Sequence, residues 1–210
     1  MLKGEADIVL KREVKAVLFD LDGVLVDSFE AWFQTFNDAL NHCGFRPVTK
    51  RNFKKYFGAP IEYDAKKFFN GMGIDSVKRL YIKYFQKRIH HVMLFPQVHE
   101  VLRELKRRKY KIGLITNSTR ATSRAIMNLL KLNKYFDAII AMEDVKRRKP
   151  APDMILKACK KLNAKPRNTI LIGDTNNDIV AGRRAGCVTV GYKIKGDYRI
   201  NKLNEVTRFT

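Results

Sequence analysis

The stretch Ala16-Val17-Leu18-Phe19-Asp20-Leu21-Asp22-Gly23-Val24 decides how this chain reads. Four apolar residues without alternation predict a strand covered on both faces, as in a parallel sheet. Asp20 and Asp22, two residues apart at the strand's end, point the same way, and Gly23 lets the backbone turn sharply aside. A carboxylate at the carboxyl edge of a parallel strand stands where such sheets bind ligands.

Four more unbroken apolar runs follow: Ile112–Ile115, Ala138–Ala141, Ile170–Ile172 and Val188–Val190. Helical periods separate them. Thr119 to Leu132 sets Ala125, Ile126, Leu129 and Leu130 on one stripe, and Asp153 to Leu162 does the same with Met154, Ile155, Ala158 and Leu162, with Pro152 at the helix start. Alternating strands and helices predict an α/β fold, a doubly wound, Rossmann-like parallel sheet. The interval between the first two strands is too long for one crossover. It holds the amphipathic Phe29-Trp32-Phe33-Phe36-Leu40 helix stopped by Gly44, a loop at Gly58-Ala59-Pro60, an aromatic stretch from Tyr63 to Phe69, and a helix around Val77–Val92. Residues 28–95 thus read as an inserted helical unit, and residues 1–27 and 96–210 as the α/β core. The tail from Lys193 to Thr210 carries Ile194, Ile200, Leu203 and Val206, enough to dock on that core.

Composition bounds the function. The chain has 210 residues, 45% hydrophobic and 30% charged, which suits a soluble globular protein. No apolar run is long enough to cross a bilayer, and Met1 to Val14 carries Glu5, Asp7 and Glu13 without the apolar core of a signal peptide. Cys43, Cys159 and Cys187 fall in no C-x-x-C pair and read as small hydrophobes in a reducing, cytoplasmic setting. No heptad recurs, so a monomer is the default expectation. The charge is unusual: 42 Lys+Arg against 21 Asp+Glu, net +21. That imbalance points to an anionic substrate or polyanionic partner. It is spread evenly, however, with 12 basic and 5 acidic residues in 28–95 and 30 and 16 elsewhere. A solvated basic surface therefore explains it better than a dedicated nucleic-acid site.

The other strand ends supply matching chemistry. The fourth predicted strand ends in Gly173-Asp174, with Asp178 one helical turn on, so four carboxylates converge with Asp20 and Asp22. Unpaired, they would repel; a hard divalent cation with octahedral oxygen ligation, Mg²⁺, resolves that. The second strand ends in Thr116-Asn117-Ser118, short donors suited to phosphate oxygens. The third leads to Lys146-Arg147-Arg148-Lys149-Pro150, where Pro150 fixes the chain and could aim Lys149 inward.

These residues together resemble the haloacid dehalogenase superfamily of hydrolases, in its helical-cap, phosphoglycolate phosphatase-like branch. Four signature motifs stand in order: Asp20-Leu21-Asp22-Gly23-Val24 with Asp27-Ser28 before the cap, Ile115-Thr116-Asn117-Ser118, Lys149-Pro150-Ala151-Pro152-Asp153, and Gly173-Asp174-Thr175-Asn176-Asn177-Asp178. The resemblance implies a Mg²⁺-dependent phosphatase acting on a small phosphorylated metabolite, such as phosphoglycolate, a sugar phosphate or a nucleotide. Asp20 would attack phosphorus and form an aspartyl-phosphate, and Asp22 would serve as acid and then base, first protonated through crowding by Asp20 and Asp174. Asp20, the Asp22 carbonyl and Asp174 would hold Mg²⁺ with Asp178 in support. Thr116, Asn117 and Lys149 would hold the phosphoryl oxygens, and the cap would read the leaving group through Gly58-Ala59-Pro60.

Family dehalogenases and phosphonate-cleaving members lack a carboxylate at the position of Asp22, so its presence favours phosphate-ester chemistry. The family's sugar-phosphate mutases carry a cap histidine where this chain has Trp32, which makes phosphoglucomutase-like transfer the lesser alternative. A nucleic-acid-binding or end-processing phosphatase is the other. His90-His91, with His42 and His99, reads better as surface than as a metal site, because a helix would split the adjacent pair. The stripe Phe29, Trp32, Phe33, Phe36 reads as core of the inserted unit rather than a base-stacking platform.

Overall fold

The computed structural model describes residues 13–210, so the signal-peptide reading of Met1–Val14 lies almost wholly outside the described residues. In chain order, β1 (Ala16–Phe19) and β2 (Val26–Asp27) lead into α1 (Phe29–His42), α2 (Lys50–Phe53), α3 (Ile61–Phe68) and α4 (Ile74–Arg88). Then come β3 (Met93–Leu94), α5 (Val98–Arg107), β4 (Lys111–Ile115), α6 (Arg120–Leu129), β5 (Ala138–Ile140) and α7 (Asp153–Lys161). The chain continues with β6 (Thr169–Gly173), α8 (Asn176–Ala185), β7 (Val188–Tyr192), β8 (Tyr198–Ile200) and a 3₁₀ segment, Leu203–Phe209.

Six strands form one parallel sheet in the order β5-β4-β1-β6-β7-β8. The central strand β1 pairs Phe19 with Leu114 on one side and Ile172 on the other. All four of its residues are fully buried, as an unbroken apolar run in a helix-covered sheet requires. The strand order reverses at β1, so Asp20 leaves the sheet at the crevice where parallel sheets take ligands.

The helices α1 to α4 lie outside the sheet. Their chain leaves and re-enters through the antiparallel pair β2–β3, with Val26 opposite Leu94, so both connections run side by side. The aromatic stripe packs as expected. Phe36 meets Phe53, Phe68 and Phe69 at ring-centroid distances of 5.2, 5.1 and 5.8 Å. Ring pairs at such spacings add about 0.5–1.5 kcal/mol each beyond the area they bury.

Two sequence expectations shift. On α6 the buried residues are Thr122, Ser123, Ile126 and Met127, whereas Leu129 is half exposed, so the stripe lies one residue from the expected one. Thr122 and Ser123, hidden by their hydroxyls from a hydropathy reading, carry it. His90 and His91 sit in a 3₁₀ turn after α4 rather than in a helix, and their rings meet at 4.1 Å, tilted by 41°, instead of splitting to two faces. The tail docks as expected through Ile200, Leu203 and Val206, and adds β8 to the sheet edge. No helix among the described residues is long and apolar enough to cross a membrane.

Candidate active site

Four strand ends converge on one cavity lined by Asp20, Asp22, Thr116, Asn117, Lys149 and Asp174 from the sheet side. Of the run Lys146–Lys149, only Lys149 turns inward. Its side chain is buried, and Nζ lies 2.6 Å from Asp20 Oδ1 and 2.7 Å from Asp178 Oδ1. Burial opposes the Lys149 charge, but Asp178 and Asp20 outweigh it and hold the ammonium above the usual lysine range. Asn117 fixes the segment: its Nδ2 donates to the Lys149 carbonyl and its Oδ1 accepts from the Lys149 N–H, both at 3.2 Å.

Asp178 is committed on its other oxygen. Oδ2 accepts from the Thr175 N–H at 3.0 Å and the Thr175 hydroxyl at 2.5 Å, a capping box at the start of α8. Oxygens of Asp20, Asp174 and Asp178 lie within 4.8 Å of one another. Burial, then Asp178, pushes Asp174 up to about 7 against the pull of Lys149. Burial likewise raises Asp20 well above the carboxylate range; Lys149 opposes this, while Asp178, Asp174 and Asp22 add to it. Ionised, three carboxylates beside one ammonium leave two negative charges uncompensated, the charge of one divalent cation. Asp174 Oδ1 is buried and has no hydrogen-bond partner among the described residues. An orphaned carboxylate oxygen in an all-oxygen acidic set fits a hard divalent cation.

Gly23 is what lets the first motif reach this set. It sits at φ +88°, and a Cβ there would lie 2.0 Å from Asp174 Oδ2. Only glycine allows both the turn and the approach.

Asp22 departs from expectation. Its carboxylate is absent from the close acidic group, which holds three acids rather than four. Instead Oδ1 accepts from the Ser28 hydroxyl at 2.5 Å and the Trp32 indole N–H at 3.2 Å, and Oδ2 from the Ser118 hydroxyl at 2.8 Å. Its hydrogen-bond partners are thus all donors. Ser28 and Trp32 stand four residues apart and so present one face at the start of α1, a spacing the sequence displayed. The loop after α2 is divided too: Gly58 and Ala59 line the cavity, whereas Pro60 does not and instead sets the start of α3. Thr116 is buried, with Oγ1 accepting from the Ser118 N–H at 3.0 Å.

The sequence family described as haloacid dehalogenase-like hydrolase matches residues 17–192, from β1 through β7, and takes in all four motif segments. This chain belongs to that family. It is an enzyme of the phosphatase type, as the motifs led one to expect. The chain is similar to pyrophosphatase PpaX of Bacillus mycoides (strain KBAB4), 32% identical over 209 residues and covering 92% of this chain and 95% of the relative. Two solved structures share the fold of this hydrolase. A predicted phosphoglycolate phosphatase from Haemophilus somnus 129PT superposes with a TM-score of 0.82 at 22% identity, covering 94% and 98% of the two chains. The β-phosphoglucomutase of Clostridium difficile superposes with a TM-score of 0.80 at 21% identity, covering 93% and 97%.

Proposed function

We propose that this hydrolase is a Mg²⁺-dependent phosphomonoesterase that works through a phosphorylated Asp20. The observation that carries the reading is the buried Lys149 bridging Asp20 and Asp178 beside an Asp174 oxygen without a partner among the described residues. Residues 28–95 act as a cap over the core formed by 1–27 and 96–210.

Asp20, Asp22 and Asp174, supported by Asp178, would hold Mg²⁺, which when bound neutralises the acidic cluster and draws charge from the phosphoryl oxygens. The Asp22 contribution is its backbone carbonyl, since its carboxylate is engaged elsewhere. In the first step the Asp20 carboxylate attacks phosphorus as the bond to the leaving oxygen breaks, and Asp22 passes that oxygen a proton. In the second, Asp22 takes a proton from water, which attacks the acyl phosphate, freeing phosphate and restoring the Asp20 carboxylate. Lys149 and the Thr116 hydroxyl hold the phosphoryl oxygens throughout. Asn117 serves that set by clamping the Lys149 backbone.

Ser28, Trp32 and Ser118 orient Asp22 for its proton transfers. Trp32 stands where the family's sugar-phosphate mutases carry a cap histidine, so release of phosphate to water is favoured over its return to a sugar. The test is a panel of phosphomonoesters assayed for inorganic phosphate and for isomerised product, with and without Mg²⁺. The reading expects phosphate, only with the metal; isomerised product without net phosphate release would overturn it.

A further inference from the structure

The cavity is poor in cations. Of a chain with 42 Lys and Arg, Lys149 alone contributes a basic side chain to the lining among the described residues, and it is already shared by two aspartates. The basic excess therefore lies away from this site, contrary to the view that it serves an anionic substrate there. On the helical side the walls are Trp32, Phe36, Phe53, Phe57, Ile61 and Tyr81, with one acid among them, Asp64.

Asp64 sits on α3, nearly inaccessible to solvent yet facing this cavity. Its Oδ2 accepts the Tyr81 hydroxyl at 2.9 Å, and its Oδ1 has no hydrogen-bond partner among the described residues. A line of contacts joins it to the proton-transfer residue. The Tyr81 ring meets the Trp32 ring edge-on at 5.8 Å, and Trp32 donates to Asp22. A group leaving from phosphorus beside Asp22 therefore enters the aromatic walls with Asp64 as its polar contact.

We propose that Asp64, held by Tyr81, is a specificity residue that selects a compact, largely apolar leaving group bearing a hydrogen-bond donor, hydroxyl or ammonium. The assignment rests on the phosphomonoesterase reading. A donor satisfies Oδ1; a carboxylate or second phosphate would meet a buried acid on a wall that carries no basic side chain of its own, at a cost in repulsion and desolvation. Burial raises Asp64 to about 7, against the hydrogen bond from Tyr81. The aromatic walls favour a ring or alkyl body through apolar burial. The chain thus differs in its expected leaving group from the pyrophosphatase and phosphoglycolate phosphatase names its relatives carry.

The experiment compares kcat/KM for phenyl phosphate, 4-(aminomethyl)phenyl phosphate and 4-carboxyphenyl phosphate in the wild type, Asp64→Asn and Tyr81→Phe. The wild type should prefer the aminomethyl over the carboxyl ester by at least about tenfold, the scale of one charge-assisted hydrogen bond. Asp64→Asn should shrink that ratio about tenfold, each ester being compared with phenyl phosphate in the same variant. Tyr81→Phe, which keeps the ring and frees Oδ2, should change the ratio less. An equal or reversed preference in the wild type, or an unchanged ratio in Asp64→Asn, overturns the assignment even when phenyl phosphate is turned over. Absence of any Mg²⁺-dependent ester hydrolysis overturns the underlying reading, and this assignment with it.

Discussion

The indole N–H of Trp32 donates to Asp22 Oδ1 at 3.2 Å, tying the first turn of α1 to the carboxylate of the first motif. The same oxygen accepts the Ser28 hydroxyl, so α1 contributes two of the three donors on Asp22. The helical insert therefore helps orient the Asp22 side chain. Trp32→Phe keeps the ring packing against Tyr81 and Phe85 but removes the donor. We expect kcat to fall about tenfold with KM changed little, read by steady-state kinetics. An unchanged kcat would mean that Trp32 serves packing alone.

Lys149 is the counter-charge of the buried acidic set. Lys149→Met would leave Asp20 and Asp178 facing each other without it, a loss on the order of 3–5 kcal/mol for breaking a buried ion pair. Thermal unfolding should show a lower Tm, with phosphatase activity lost. A Tm equal to that of the wild type would contradict this role for the ammonium.

Divalent metal should stabilise the fold independently of turnover. Binding to the native state alone raises stability by about 2.7 kcal/mol at a concentration a hundred times Kd. Wild-type Tm should rise with Mg²⁺ and fall with a chelator, and Asp174→Asn should lose most of that response. A full Tm response in Asp174→Asn would remove Asp174 from the metal site. Gly23→Ala should blunt the response too, because its Cβ would strike Asp174 Oδ2, and the left-handed backbone adds about 1–2 kcal/mol of destabilisation.

Asp64 makes stability depend on pH with a defined sign. Its folded pKa of about 7 lies above the ordinary aspartate value of 3.8, so between these pH values the folded state binds more protons than the unfolded one. Stability falls as pH rises through that window, and the burden of ionising Asp64, up to a few kcal/mol, is in full force above about 7. Asp64→Asn removes the burden. The Tm difference, variant minus wild type, should be more positive at pH 8 than at pH 5, which differential scanning calorimetry would measure. A difference that does not vary with pH would show that Asp64 titrates normally.

Much of this molecule was legible in its sequence because the deciding signals are local. Unbroken apolar runs marked five of the six sheet strands, and acids or short hydroxyl residues at strand ends marked the site. Lys149 was readable from the proline that follows it. What escaped depends on contacts distant in sequence. The β2–β3 pair is four residues in all, too short for a period, and exists because two distant connections pass side by side. β8 is short and lies at the sheet edge, where Ile200 alone of its three residues is buried. The surroundings of Asp22 needed Ser118, 96 residues away, and the partner of Asp64 needed Tyr81 from a separate helix. A lone acid within the aromatic stretch from Tyr63 to Phe69 was the available hint of that second pair.

The central claim is that the Asp20 carboxylate is the nucleophile. Phosphate release from p-nitrophenyl phosphate with Mg²⁺, compared between the wild type and Asp20→Asn, tests it most directly. The substitution keeps the side chain's size and removes the attacking carboxylate. The account predicts Mg²⁺-dependent release by the wild type and none above background in Asp20→Asn; full activity in that variant would contradict it.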